Sequence, residues 1–304
     1  MIPSWRQRWI VVVGVLAGAF AWWQAGGWLA AVDGTPGYVL ADAAVGWPAA
    51  TAAIALLGVV ALVLGGVAAA TGQPLSGVIV IATSLTALAL RGGSSMGFFW
   101  RHDLPAGYGT LLIEAFLWLA GLLAAVIGLQ RIRDKLRPLP DPPEASIKAV
   151  SVSTCLSALA ATAIGVALSL LLVRTTEPVQ IFGGLLLSYL IAGGVCYLFT
   201  PYANPVGAIA SPLLGGIAVY AWMLTSNRTH DDLIAAVYAE ALPGLAVALP
   251  IHLASAGTLG AALGVGLAQG IDEARHEAVG AASARETNPP TPATPAAAAR
   301  TLDA

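Results

Sequence analysis

Two ionisable side chains stand apart in this sequence because they fall inside long apolar segments. Glu114 lies within LLIEAFLWLAGLL, and His252 lies within ALPIHLASAG. Insertion of an ionisable group at membrane depth costs about 2.5 to 3.5 kcal/mol, so such a residue points to a pathway or a binding site. We therefore predict that both residues line an internal polar path as proton or cation acceptors. The simpler alternative is one helix-to-helix hydrogen bond for each residue.

A second group of polar residues lies in two connections between apolar segments. Arginines, histidines and aspartates occur together near residues 91–103 and again near residues 228–232. The arginines could bind an anion, and the histidines with the aspartates could hold a divalent metal, but neither spacing is diagnostic. Solvated loop charges are the alternative, and we assign no metal ligand and no catalytic residue. The candidate binding residues are Arg91, Arg101, His102, Asp103, Arg228, His230, Asp231 and Asp232.

Several chemistries are excluded by the absence of their motifs. The sequence contains no GxxxxGK[ST] loop and no HExxH, and its two cysteines form no CxxC. The 14 lysines and arginines form no basic groove with interleaved aromatic residues, so no nucleic-acid partner is expected. A single histidine at membrane depth argues against a haem held by two histidines. No cofactor is predicted.

The composition is that of a membrane protein. Of 304 residues, 58% are hydrophobic and 10% are charged, with a mean hydropathy of +0.80, whereas soluble domains are about a quarter charged. Several apolar segments reach the roughly 20 residues that cross a hydrocarbon layer of about 30 Å. We predict an all-α, polytopic integral membrane bundle of about eight transmembrane helices. The predicted spans are residues 9–25, 49–70, 75–90, 109–130, 149–173, 179–199, 205–224 and 241–271.

The charged segment RIRDKLRPLPDPPEASIK, residues 131–148, divides the spans into two sets of four, in residues 1–130 and 149–271. With eight spans, ten of the 14 basic residues fall on the side of this segment and four on the other. Because basic residues favour the cytoplasmic side, both termini are predicted to be cytoplasmic. Residues 272–304 form a cytoplasmic tail, which we expect to be disordered from about residue 286 because it is rich in Pro, Thr and Ala.

Three points of organisation stay open in the sequence. Residues 1–25 are either the first span or a cleaved signal. The last segment, with Pro243 and Pro250, is either one kinked helix or a surface helix near residues 231–240 followed by a span. Both halves have a short inner turn after their second span, which fits a parallel internal repeat, although no residue-level match is visible. Hairpins that look alike because membranes allow few alternatives are the other explanation.

Stripes of small residues predict which helix faces pack inside the bundle, because small side chains let helix backbones approach in lipid. The predicted stripes are Gly58, Gly65 and Ala69; Gly121, Ala125 and Gly128; Thr154, Ala158, Ala161, Gly165 and Ser169; and Ala256, Gly260 and Gly264.

The sequence favours a bacterial inner-membrane protein that resembles a permease or transporter and handles a small solute or ion. The alternative is a non-catalytic subunit or scaffold that binds a membrane-protein partner through residues 131–148 or the tail. An intramembrane enzyme that acts on lipid head groups from the outer side is the third hypothesis. The lipid bilayer is the common partner in all three.

Overall fold

The structure, a computed structural model, describes residues 5–31, 33–34, 39–71, 74–92, 94–136, 152–200 and 205–287. Within those ranges there is no β-strand, and eight helices are long and apolar enough to cross a membrane. The protein is therefore an all-α polytopic membrane bundle, as predicted. The spans, numbered in chain order, are Trp5–Ala25, Trp47–Thr71, Pro74–Arg91, Gly107–Leu136, Val152–Leu172, Pro178–Phe199, Val206–Leu224 and Pro250–Ala278.

Proline and charge explain several helix boundaries. The sixth span begins at Pro178, where the fixed φ of proline suits the first helical position and its missing N–H costs no helical bond. The fourth span continues to Leu136, and Arg133 and Lys135 in its last turn complement the negative end of the helix dipole. Residues 137–148 of the predicted linker and residues 288–304 of the tail lie outside the described residues.

Backbone contacts gather Met1–Ala268 into one compact unit, and a second unit comprises Gln269–Ala304. In the first unit, the eighth span lies at the centre of the bundle. Its most apolar window is 83% buried, whereas the other seven windows are between 22% and 61% buried. It packs against the third, fourth, sixth and seventh spans. In the second unit, the described residues continue the last helix to Thr287.

The last predicted segment, residues 241–271, is interrupted. A separate helix, His230–Tyr238, comes first, and the chain turns at Glu240, which has a φ of 53°. A single helical turn, Gly244–Val247, follows, and Ala248 and Leu249 are extended before the eighth span begins at Pro250. A helix preceding the span is thus confirmed, while the extended break inside the buried region is a new finding. We call Gly244–Leu249 the break segment.

Small residues mediate the closest helix contacts, as predicted for the eighth span. Gly260 lies against the backbone of Leu186 in the sixth span, and Gly264 lies against the backbone of Leu190. The prediction was wrong for Gly58 and Gly121, which have nothing within 4 Å of an added Cβ and are exposed.

The two exceptions arise because the second and fourth spans do not touch at Gly58 and Gly121. Their contacts lie farther along both helices, at Leu62 with Gly128 and at Gly66 with Ile132. Gly58 and Gly121 therefore face outward, where a membrane protein meets lipid.

Candidate functional site

Glu114 is the one acidic residue in the buried core of the described residues, with 3% of its surface exposed. Both of its carboxylate oxygens accept a hydrogen bond. The backbone N–H of Leu40 donates to Oε2 at 2.9 Å, and the indole N–H of Trp118, one turn along the same helix, donates to Oε1 at 3.1 Å. The predicted burial of Glu114 is therefore correct, and a backbone group of a distant loop is its unforeseen partner.

Leu40 belongs to a short stretch between the first and second spans, residues 39–43, which we call the strap. The end of the bundle that carries the strap, which the positive-inside rule assigns to the outside, is called the outer end. The strap forms a tight helical turn at Leu40–Asp42, and Ala43 pairs with Ala31 in one antiparallel bridge. Val39, Leu40 and Ala43 are buried, so this loop packs into the bundle instead of lying on its surface.

The carboxylate of Asp42 fixes the other side of the strap. The Arg101 guanidinium donates to Asp42 Oδ2 through Nη2 at 3.1 Å and Nε at 3.2 Å, and His102 Nε2 lies 2.6 Å from Asp42 Oδ1. The Asp42 side chain is only 7% exposed, which makes these charge-assisted bonds stronger than those of an open surface pair. Arg101 also reaches Asp33, at 3.5 Å.

The loop between the third and fourth spans, residues 92–106, makes hydrogen bonds to each of the other three loops at the outer end. Besides Arg101 and His102, it contributes Ser94 and Ser95, which both bond the carbonyl of Thr176 in the connection between the fifth and sixth spans. Leu104 donates its N–H to His230 Nδ1 at 3.0 Å. The two connections that carry the candidate outer residues therefore meet, and the strap joins them, which the sequence did not predict.

The remaining predicted residues have separate roles. Arg91 bonds the carbonyl of Trp23 and lies over its ring, 5.4 Å from the centroid, which places a cation at the C-terminal end of the first span. Asp232 caps the helix that begins at His230, and the Thr229 hydroxyl and N–H hold the pKa of Asp232 below its ordinary value. Arg228 and Asp231 are exposed.

The outer histidines do not form a metal centre in the described residues. His230 Nδ1 accepts from Leu104 and lies 3.6 Å from the exposed Asp103, while His102 is engaged with Asp42 and stacks on Phe98 at 4.3 Å. No three His, Cys, Asp or Glu side chains in the described ranges are placed to hold one ion. The outer groups therefore bind each other.

His252 lies beside the break segment. Its Nδ1 accepts the N–H of Leu249 at 3.0 Å, and its ring also bonds the backbone of Ala89. Two phenols supply further partners: Tyr220 donates to the carbonyl of Ala248 at 2.7 Å, and Tyr108 donates to the carbonyl of Ala246 at 3.2 Å. Non-helical backbone at membrane depth needs such partners, because no bulk water is present to supply them.

A π-helical turn, Leu253–Gly257, follows the break segment. Its Gly257 lies against Pro212, a proline inside the seventh span. Ser211 compensates for the helical bond that proline removes, because its hydroxyl donates to the carbonyl of Ala208 at 2.7 Å. The seventh span thus lacks one helical bond at the place where the π-helical turn of the eighth span touches it. Such π-turns occur frequently at functional sites.

A small cavity lies beneath the strap, with room for about one water molecule. Its wall is apolar and combines the strap with the tip of the eighth span; the lining residues are Leu29, Val39, Leu40, Ile54, Leu88, Trp118 and Ile251. Neither Glu114 nor His252 lines it. Glu114 and His252 are both bonded to protein groups, and the strap packs over the cavity.

The three buried phenols allow a matched test of the break segment. We expect Tyr220→Phe to lower the free energy of unfolding by about 1 to 2 kcal/mol, because it leaves the carbonyl of Ala248 buried without a donor. Tyr189→Phe is the control: the Tyr189 hydroxyl is buried without a hydrogen-bond partner, so its removal should be neutral or stabilising. Denaturant titration of the purified variants measures both. Equal losses would contradict a supporting role for Tyr220.

Nothing among protein-family models, curated proteins and solved structures matches this chain. The fold and the contacts described above are therefore the basis on which its function is argued.

Proposed function

We propose that this multi-pass membrane protein is a permease-like protein of a bacterial inner membrane, with cytoplasmic termini, which carries protons or a small cation. Glu114 and His252 would be the acceptors along its path. The observation that supports the proposal is the break segment: extended backbone at Ala248 and Leu249, buried between helices and next to an imidazole. Discontinuous helices of this kind characterise transporters, where they form ion and substrate sites at the interface of two bundles.

The arrangement at the outer end fits a closed state of such a protein. The strap is attached by polar bonds to Glu114, Arg101 and His102, which can exchange for water when the strap moves outward. Its departure would uncover the apolar cavity and bring water towards Glu114. A closed and an open conformation would then differ by a few hydrogen bonds, the scale on which ligands and gradients shift conformational equilibria.

A proton-flux measurement tests the proposal. Purified protein is reconstituted into vesicles that contain a pH-sensitive dye, and a potassium diffusion potential of either sign is imposed with an ionophore. We expect the internal pH to change faster than in protein-free vesicles, and Glu114→Gln to reduce the rate to near that of protein-free vesicles. Glu177→Gln, at an exposed residue of the outer end, is the matched control and should retain the rate.

A rate for the wild-type protein that equals that of protein-free vesicles, at both signs of the potential, would overturn the proposal. Because Glu114→Gln also alters a buried hydrogen-bond pair, its unfolding transition is measured in the same preparation. A variant that has lost both the flux and its cooperative unfolding is replaced by Glu114→Asp, for which we expect a partial rate.

A scaffold is the second candidate, and one observation favours it. Both oxygens of Glu114 and the ring of His252 are bonded to protein groups, and the cavity near them holds about one water molecule. Such groups also suit a fixed structural core. A scaffold should bring a membrane protein with it in stoichiometric amount when it is purified gently from native membranes, and removal of residues 288–304 should release that partner.

A further inference from the structure

The two halves of the bundle use the same set of helix contacts. In the first half, the first span packs on the second and third spans, and both of these pack on the fourth. In the second half, the fifth span packs on the sixth and seventh, and both of these pack on the eighth. Membrane hairpins can resemble each other by chance. An internal repeat, in contrast, requires that equivalent residues make the contacts in both halves.

The register agrees between the first and third spans and the fifth and seventh spans. Gly14 and Gly18 lie against Val80 and Ser84. In the second half, Thr162 bonds the carbonyl of Ser211, and Val166 lies against Gly215. One shift of 148 residues relates the first members of these pairs, and one shift of 131 residues relates the second members. That second shift also carries Pro74, where the third span begins, onto Pro205, which precedes the seventh.

The second and sixth spans give an independent match. Each contains Gly-Gly-Val, at residues 65–67 and 193–195, and in each the second glycine precedes the last helical residue by five positions. The same shift of 128 residues relates two contacts with the following helices. Leu62 lies against Gly128 of the fourth span, and Leu190 lies against Gly264 of the eighth.

The approach to the fourth and eighth spans is also alike. A short helix precedes each, Met96–Arg101 in one half and His230–Tyr238 in the other. A Leu-Pro pair and a glycine follow, Leu104, Pro105 and Gly107 in one half, and Leu242, Pro243 and Gly244 in the other. Glu114 follows Gly107 by seven residues, and His252 follows Gly244 by eight residues. The break segment therefore corresponds to the unbroken first turns of the fourth span.

Contacts between the halves have the exchange pattern of a two-fold axis. The fourth span packs on the seventh, and the third packs on the eighth. The two short outer helices touch each other through Trp100 and Tyr238, whose rings are 6.0 Å apart. An axis along the membrane normal that superposes one half on the other produces this exchange, in which each copy offers the same surface to its partner.

We infer that the chain is two copies of one four-span unit, related by an approximate two-fold axis along the membrane normal, and that Glu114 and His252 both lie near the start of corresponding spans, at the interface of the copies. One copy keeps a carboxylate on an intact helix, and the other carries an imidazole beside a broken one. Where parallel repeats form a transporter, the site lies between them. The repeat is inferred from the helix contacts alone, whereas the idea that the interface of the copies serves as a path rests on the proposed function.

Spin-label distances in the full-length protein test the repeat without any assumption about transport. Four exposed positions correspond in pairs: Arg8 with Leu156 under the shift of 148 residues, and Arg131 with Leu267 under the shift of 136 residues that relates Gly128 to Gly264. Each variant carries two spin-labelled cysteines at two of these positions, in a background without Cys155 and Cys196. We expect the 8–131 distance to equal the 156–267 distance, and the 8–267 distance to equal the 131–156 distance.

A difference in either comparison that exceeds the width of the distance distributions would overturn the two-fold relation. Equal distances together with a wild-type proton flux at the level of protein-free vesicles would leave the repeat in place and remove the proposed function. Unequal distances with a measurable flux would do the reverse. Thermal unfolding of each labelled protein, compared with that of the cysteine-free background, identifies any pair in which the labels themselves disturb the fold.

Discussion

Replacement of Gly264 by alanine is expected to destabilise the bundle more than any other single-methyl addition considered for the central helices. The new Cβ would overlap the carbonyl oxygen of Leu190 and lie 2.8 Å from the backbone nitrogen of Gly194. Both atoms belong to the backbone of the sixth span, so no side-chain rotation relieves the overlap and the two helices must separate. Overpacking costs about 1 to 3 kcal/mol, and we expect the upper end of that range.

Gly121→Ala is the matched control, because nothing lies within 4 Å of its added Cβ. Alanine favours a helix over glycine by up to about 1 kcal/mol, so this variant should be as stable as the wild-type protein or slightly more stable. Unfolding of the purified variants in detergent, followed by circular dichroism, measures both effects. A Gly264→Ala protein as stable as the wild type would show that the sixth and eighth spans do not approach backbone to backbone.

The number of spans was predictable because the thickness of the bilayer sets the length of every helix that crosses it. The faces of those helices were less so. Gly58 and Gly65 lie on the same predicted stripe, yet only Gly65 meets another helix. Spacing identifies the residues that share a face, whereas the level at which two helices meet depends on their crossing geometry, which no local pattern encodes.

The candidate site shows the same limit. The burial of Glu114 followed from its place on a helix, but one of its two partners is a backbone N–H 74 residues earlier in the chain. A backbone donor has no sequence signature, because every residue except proline carries one. Asp42 offered a weak signal: it is an acidic residue in a loop without basic residues, and its partners, Arg101 and His102, lie in another outer connection.

The strength of that link between Asp42 and the loop at residues 92–106 determines whether the strap closes the outer end. We expect Asp42→Ala to expose the tip of the eighth span to external reagents. The substitution leaves Arg101 and His102 partly buried without their carboxylate; breaking a buried pair costs about 3 to 5 kcal/mol, and the exposure of Arg101 reduces this to about 2 kcal/mol. If that free energy holds the strap closed, its loss raises the open fraction roughly thirtyfold.

The readout is the rate at which a cysteine in place of Ile251, in a background without Cys155 and Cys196, reacts with a membrane-impermeant thiol reagent. Ile251 lines the cavity beneath the strap, so its labelling reports strap opening directly.

Asp33→Ala is the control, because Asp33 is 47% exposed and its bond to Arg101 is a surface pair, for which about 0 to 1 kcal/mol is usual. Asp42→Ala should therefore label many times faster than Asp33→Ala while both proteins retain cooperative unfolding. Similar rates for the two variants would mean that the strap stays in place without Asp42, and that the bond from Leu40 to Glu114, with the burial of Val39 and Leu40, is enough to hold it.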